Sequence, residues 1–121
     1  AYELNHPGVW SWRRDIRRLD PTLVASQLEL GPGDLGLLAG CPPCQGFSTI
    51  RTRRRATSVY DRRNGLVAQF ARWAEALRPR ALMMENVPGL AEDIRLARMM
   101  GRLRRAGYRL TTGILDAAEY G

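Results

Sequence analysis

Two side chains in this sequence could do chemistry together, the thiol of Cys44 and the carboxylate of Glu85. Cys44 sits in the run Gly40-Cys41-Pro42-Pro43-Cys44-Gln45-Gly46-Phe47-Ser48, directly after the apolar stretch Asp34-Leu35-Gly36-Leu37-Leu38-Ala39. Glu85 opens Glu85-Asn86-Val87-Pro88-Gly89-Leu90, directly after a second apolar stretch, Ala81-Leu82-Met83-Met84. Each apolar stretch reads as a short buried strand, so a thiol and a carboxylate each follow a strand end. Open α/β sheets hold their chemistry at the carboxyl ends of parallel strands. Two such strands side by side would bring the groups into one cleft, as a nucleophile and an acid acting on one substrate. The prolines at 42 and 43 fix the turn, so the sulfur need not be ordered during reaction.

Other uses of the same residues fit less well. Cys41 and Cys44 have the Cys-x-x-Cys spacing of redox motifs. Such a motif normally opens a helix whose N-terminus lowers the thiol pKa. Here Gln45-Gly46-Phe47-Ser48-Thr49 runs instead into an arginine-rich loop with no helix start. Two cysteines and one histidine cannot close a four-ligand zinc site in one chain, so no metal is expected. The basic residues are all arginine and the net charge is +7. Arginine suits bidentate contacts to phosphate and guanine, although most surface arginines only solvate the fold. Arg51, Arg53, Arg54 and Arg55 stand apart, because they follow the cysteine loop, where a polyanion near a reacting centre would be held.

These groups need a frame. The chain has 121 residues, enough for one small domain with a modest core. No apolar run approaches the roughly 20 residues of a membrane span, and Ala1-Tyr2-Glu3-Leu4-Asn5 lacks the pattern of a signal peptide. Asp20-Pro21 is a helix start, with Asp as N-cap and Pro at the first position, and Leu23, Val24, Gln27 and Leu28 give it a short stripe. The helix ends before Gly31-Pro32-Gly33, and a strand over 34–39 and a loop over 40–60 follow. Leu66, Phe70, Trp73, Ala74 and Leu77 mark one face of a second helix, stopped by Pro79. A strand over 80–85 and a Pro-Gly turn lead to a third helix near 90–106, with Leu90, Ile94, Ala97, Met100 and Leu103 on one side and Gly107 as its cap. Residues 108–115 read as a last strand, weakened by Gly113. Strands alternating with helices predict an α/β fold with a mostly parallel sheet and flanking helices. Three strands are few for such a sheet, and residues 1–19 read as the tail of a preceding unit. The expectation is a partial catalytic domain over 1–121, truncated at both ends.

With both sites in view, the chain resembles the DNA (cytosine-5) methyltransferases. Residues 40–48 are similar to that family's Pro-Cys nucleophile motif and Glu85-Asn86-Val87 to its Glu-Asn-Val motif. Asp61-Arg62-Arg63-Asn64-Gly65-Leu66 resembles its Asp-x-Arg-Asn-x-Leu segment, and Asp15-Ile16 its adenine-side acidic motif. Gly107-Tyr108 and Asp116-Ala117-Ala118-Glu119-Tyr120-Gly121 resemble the lead-in to a later arginine motif. The family's Phe-x-Gly-x-Gly-Gly cofactor loop, the acidic residue after it, the paired arginines and the target recognition domain have no counterpart here. Cys41 stands where the family commonly has a small residue.

The resemblance implies a partial Rossmann-like fold that binds S-adenosylmethionine and methylates carbon 5 of cytosine in double-stranded DNA. Cys44 would add as thiolate to carbon 6 of the flipped-out base, and Glu85 would bond ring nitrogen 3 and the exocyclic amine. Partial burial at the strand end would favour the protonated carboxyl. Asp15, Ile16, Pro43, Asn64 and Leu66 would lie at the cofactor. Gln45, Gly46, Ser48, Arg51, Arg53, Arg54, Arg55, Asn86 and Val87 would serve DNA or the bound base. Asp15 could equally form a salt bridge with Arg13, Arg14 or Arg17. The resemblance further implies a bacterial cytoplasmic protein acting on nucleoid DNA, with restriction–modification as the family expectation. The fragment alone is expected to be inactive, with a complementary chain as one source of the missing parts. A tRNA substrate, a non-catalytic DNA-binding remnant and a split-enzyme subunit are the alternatives.

Overall fold

The computed structural model describes residues 2–43 and 65–121. Its centre is a pair of parallel strands, β1 (Leu37–Gly40) and β2 (Ala81–Met84), in the register Leu37 to Ala81 through Gly40 to Met84. The pairing extends beyond both ends: Arg80 N–H donates to Leu35 O at 2.9 Å, Ala81 N–H to Gly36 O at 3.0 Å, and Glu85 N–H to Gly40 O at 3.3 Å. Side chains alternate across a strand, so Leu38, Leu82 and Met84 turn toward the helices. Leu37 and Met83 point the other way and are about half exposed, at 49% and 58%. The two runs read as buried strands are therefore buried on one face.

The covered face is packed by a helix over Leu66–Leu77. Helix α1 (Tyr2–Asn5) and helix α2 (Pro21–Gln27) come before it in the chain, so it is α3, and Ile94–Arg105 is α4. The apolar spacing of α3 does what its period demands. Val67, Phe70, Ala71 and Ala74 pack with Leu90, Met99 and Leu103, whereas Trp73 and Leu77 turn to Val24 of α2. Leu90 and Leu103 are almost fully enclosed, each worth about 2–3 kcal/mol of burial. Arg78 ends α3 in the left-handed region at φ 46°, its N–H on Ala74 O, and Pro79 bars continuation.

Local chemistry sets the other helix ends. The Asp20 carboxylate accepts from Thr22 N–H at 2.9 Å and caps α2, with Pro21 at its first position. Asp93 does the same for α4 through Arg95 N–H at 2.7 Å. At the far end of α4, Gly107 takes φ 98° and Tyr108 N–H returns to Leu103 O at 3.1 Å. The Tyr108 hydroxyl donates to Pro79 O at 2.7 Å, and Arg102 grips the Glu75 carboxylate through Nε at 2.9 Å and a terminal nitrogen at 2.6 Å. These contacts lock α4 beside α3.

Three expectations need correction. The segment 108–115 forms no strand: Tyr108 and Leu110 pack on the core, but Ile114 and Leu115 are 72% and 73% exposed. A strand needs a neighbour to bond, and among the described residues none lies beside it. The third helix begins at Ile94, because Pro88–Leu90 form a 3-10 turn and the cap is Asp93. Its inward face is Leu96, Met99, Met100 and Leu103, while Ile94 is 60% exposed and Ala97 is also outside. Residues 1–12, whose turn-rich composition predicts turns, contain the short helix α1.

Candidate active site

The two strand ends stand level. Because Gly40 pairs with Met84, the turn Cys41-Pro42-Pro43 and the segment Glu85-Asn86-Val87 leave the same end of adjacent parallel strands. A side chain joins them: Asn86 Nδ2 donates to Pro42 O at 2.8 Å, and Asn86 Oδ1 accepts from Val87 N–H at 3.0 Å. Both halves of the amide are used, which fixes its orientation and ties the Pro-Pro turn to the end of β2. Gly40 is required on the other side. A Cβ there would meet the Phe70 ring at 3.0 and 3.1 Å. Glu85 is exposed rather than partly buried.

Beside the end of β1 lies a cavity of about 440 Å³, within the roughly 300–1,000 Å³ of small-molecule sites. One wall is the loop that carries Trp12, Arg14, Ile16 and Leu19. The floor is β1 and its turn, from Leu38 to Pro43. Leu66, Phe70 and Trp73 of α3 form the third wall. Among the described residues Trp73 Nε1 is buried without a hydrogen-bond partner, and Trp12 Nε1 bonds Gln27 at 3.3 Å. Asp15 stands on the loop wall but its side chain is held by Arg17. The guanidinium Nε lies 2.9 and 3.0 Å from the two carboxylate oxygens, and Arg17 N–H adds a bond at 2.9 Å. Those hydrogen bonds pull the Asp15 pKa down to about 2.

The C-5 cytosine-specific DNA methylase family model matches residues 1–121. The chain belongs to this family. It is 37% identical to the Type II methyltransferase M.AgeI of Thalassovita gelatinovora, over all of this chain and 28% of that protein. It is 35% identical to mouse DNA (cytosine-5)-methyltransferase 1, over all of this chain and 8% of that protein. With M.DdeI of Desulfomicrobium norvegicum it shares 32% identity over 29% of that protein. The chain thus spans less than a third of these relatives. The parallel strands and flanking helices are those of a partial Rossmann-like methyltransferase fold.

C-5 DNA methylases generally use S-adenosylmethionine. The cavity fits the flat end of such a molecule, because its walls are mostly aliphatic and aromatic. Ile16, Pro43 and Leu66 line it together. Asp15 does not line it, and among the described residues no carboxylate does. Of the residues expected to serve the base or DNA, Asn86 and Val87 lie at the strand end. Cys44, Gln45, Gly46, Ser48, Arg51, Arg53, Arg54, Arg55 and Asn64 lie outside the described residues. Among the described residues no cluster of three or more His, Cys, Asp or Glu could hold a metal, and no helix is long and apolar enough to cross a membrane.

Asn86, expected to serve the base or DNA, also spans to the neighbouring strand's turn. One residue escaped the sequence reading. Arg72 was given no role from the sequence. Its position was the available signal: it lies between Ala71 and Trp73, both buried, where a solvated arginine has little room.

Proposed function

We propose that the protein carrying this chain transfers a methyl group from S-adenosylmethionine to carbon 5 of cytosine in double-stranded DNA. The observation that carries the reading is the register Gly40 to Met84, braced by Asn86 on Pro42 O. It supports the reading because Pro43, the residue before Cys44, and Glu85 follow the same end of adjacent strands, with the apolar cavity alongside.

Carbon 5 of cytosine is a weak nucleophile, and the chain's residues answer that. The Cys44 thiolate adds to carbon 6, the new S–C bond placing enamine electron density on carbon 5. Glu85, in its protonated form, donates to ring nitrogen 3 and accepts from the exocyclic amine, drawing charge from the ring as the sulfur adds. S-adenosylmethionine, when bound, would supply an electrophilic methyl group to carbon 5, its S–CH3 bond breaking to leave the neutral thioether S-adenosylhomocysteine. Loss of the carbon 5 proton to a base re-forms the double bond and expels the Cys44 thiolate. Ile16, Pro43 and Leu66 would hold the cofactor, with Asp15 and Asn64 at its edge. Gln45, Gly46, Ser48 and the arginines at 51 and 53–55 would engage the strand from which the base is flipped. DNA is favoured over tRNA as substrate because the matching family model and named relatives are DNA methylases.

The test is methyl transfer by the intact protein to duplex DNA and to tRNA in parallel, with wild type and Cys44→Ser. Duplex DNA containing 5-fluorocytosine adds a second readout, since carbon 5 then has no proton to lose and the thioether persists. Wild type should methylate DNA and form the adduct, and C44S should do neither. Normal transfer by C44S would sink the mechanism. DNA binding without transfer by wild type would instead mark a non-catalytic remnant.

A further inference from the structure

We infer that Arg72 is a positioning residue that holds the loop wall of the cavity against helix α3. The inference rests on the cofactor reading of that cavity. One terminal nitrogen of Arg72 donates to Ile16 O and to Leu19 O, each at 2.7 Å. Side chains of the same two residues line the cavity, opposite Leu66, Phe70 and Trp73 of α3. One side chain on the helix wall therefore sets the distance to the loop wall.

The loop needs such a tie. Residues 13–19 contain no helix or strand. Arg18 N–H on Asp15 O at 2.9 Å and the Asp15–Arg17 ion pair shape the turn from within and do not fasten it to α3. Leu19 packs toward Trp73 and Leu77, which anchors only the end of the loop. Ile16, itself 39% exposed, is bonded to the body of the protein by Arg72. A charged donor on two backbone carbonyls is worth more than a neutral one, and it is half-enclosed here. Arg72 Nε is buried with no partner among the described residues, so the bridging does not use the whole guanidinium. A lysine ammonium could make both bonds from one nitrogen without that idle N–H.

The experiment uses the intact protein with Arg72→Met, Arg72→Lys and, as a control, Arg102→Met. R102M removes a different arginine bridge of α3, to Glu75, away from the cavity. Three quantities are read: amide exchange over 15–19 without cofactor, calorimetric affinity for S-adenosylmethionine, and kcat with both KM values. R72M should speed exchange over 15–19 and weaken cofactor affinity about tenfold, with kcat at saturating cofactor and the KM for DNA within about twofold. R72K should restore most of both, and R102M should leave the affinity alone. Should R72M fail to fold, R72Q replaces it, since its shorter amide cannot span both carbonyls. Wild-type exchange and affinity in R72M would overturn the inference, as would an equal loss of affinity in R102M or a loosened loop with unchanged affinity. If wild type itself does not bind S-adenosylmethionine, the cofactor reading fails, and exchange over 15–19 still decides whether Arg72 clamps the loop.

Discussion

Replacing Gly40 by alanine should strain the site from its floor. The added Cβ would stand 3.0 and 3.1 Å from two atoms of the Phe70 ring, several tenths of an ångström inside ordinary contact. Phe70 is 8% exposed and sits in the main core with Val67, Ala71 and Leu90, so its ring has little room to retreat. Overpacking of this kind costs about 1–3 kcal/mol. For a domain of this size that is a fall of about 4–10 °C in melting temperature. The same ring lines the cavity, and Gly40 O accepts from Glu85 N–H, so the strain should also reach cofactor affinity. Urea denaturation of G40A, F70L and the double variant gives the test. F70L removes ring atoms, so the double variant should be less destabilised than the two single losses added together. A G40A protein within about 0.3 kcal/mol of wild type, or strictly additive losses, would refute the close-packing argument.

Asn86→Asp should cost about 1–2 kcal/mol in urea unfolding and slow methyl transfer, because the donor to Pro42 O becomes a second acceptor while the bond from Val87 N–H survives. A fully stable N86D would show that the strand-end tie is idle. Leu103→Ala should cost about 2–4 kcal/mol, whereas Ile94→Ala should change stability by less than about 0.5 kcal/mol, by thermal denaturation. The reverse order would restore the helix face expected from the sequence. Asp15 should titrate near pH 2 when followed by its carboxyl carbon in NMR. Its folded-state pKa is lowered, so the Asp15–Arg17 contribution is complete above about pH 4 and is lost as the pH falls through about 2. A midpoint near the ordinary carboxylate value would mean the pair does not hold in solution.

The sequence was most legible where a local rule decides the structure. Asp20-Pro21 starts a helix by side-chain capping and a preset φ, and both act within three residues. The α3 stripe was readable because Phe70, Trp73, Ala74 and Leu77 repeat at helical spacing and are all buried. The α4 face was misphased because Leu90 is buried from a 3-10 turn rather than from the helix, which pulled the stripe onto Ile94 and Ala97. Asp93, the true cap, was hidden beside Glu92 as one more surface acid. Residues 108–115 have strand composition, but pairing belongs to two segments at once, and composition speaks for one. The site divides the same way. The motifs that marked Glu85 and the Pro-Pro turn are contiguous in sequence, whereas Arg72 on Ile16 O and Asn86 on Pro42 O join residues 56 and 44 positions apart.

The register of β1 on β2 has a consequence for how the site tolerates change in chain length. The relative height of the Pro-Pro turn and Glu85 is set by Gly40 facing Met84, not by the segment that joins them. One residue inserted within either strand would break that alignment. It would shift the ladder by about 3.3 Å and turn every following side chain to the opposite face, exchanging Leu82 and Met84 for Met83 against the core. Length variation is thus prohibitive within the strand that ends four residues before Cys44.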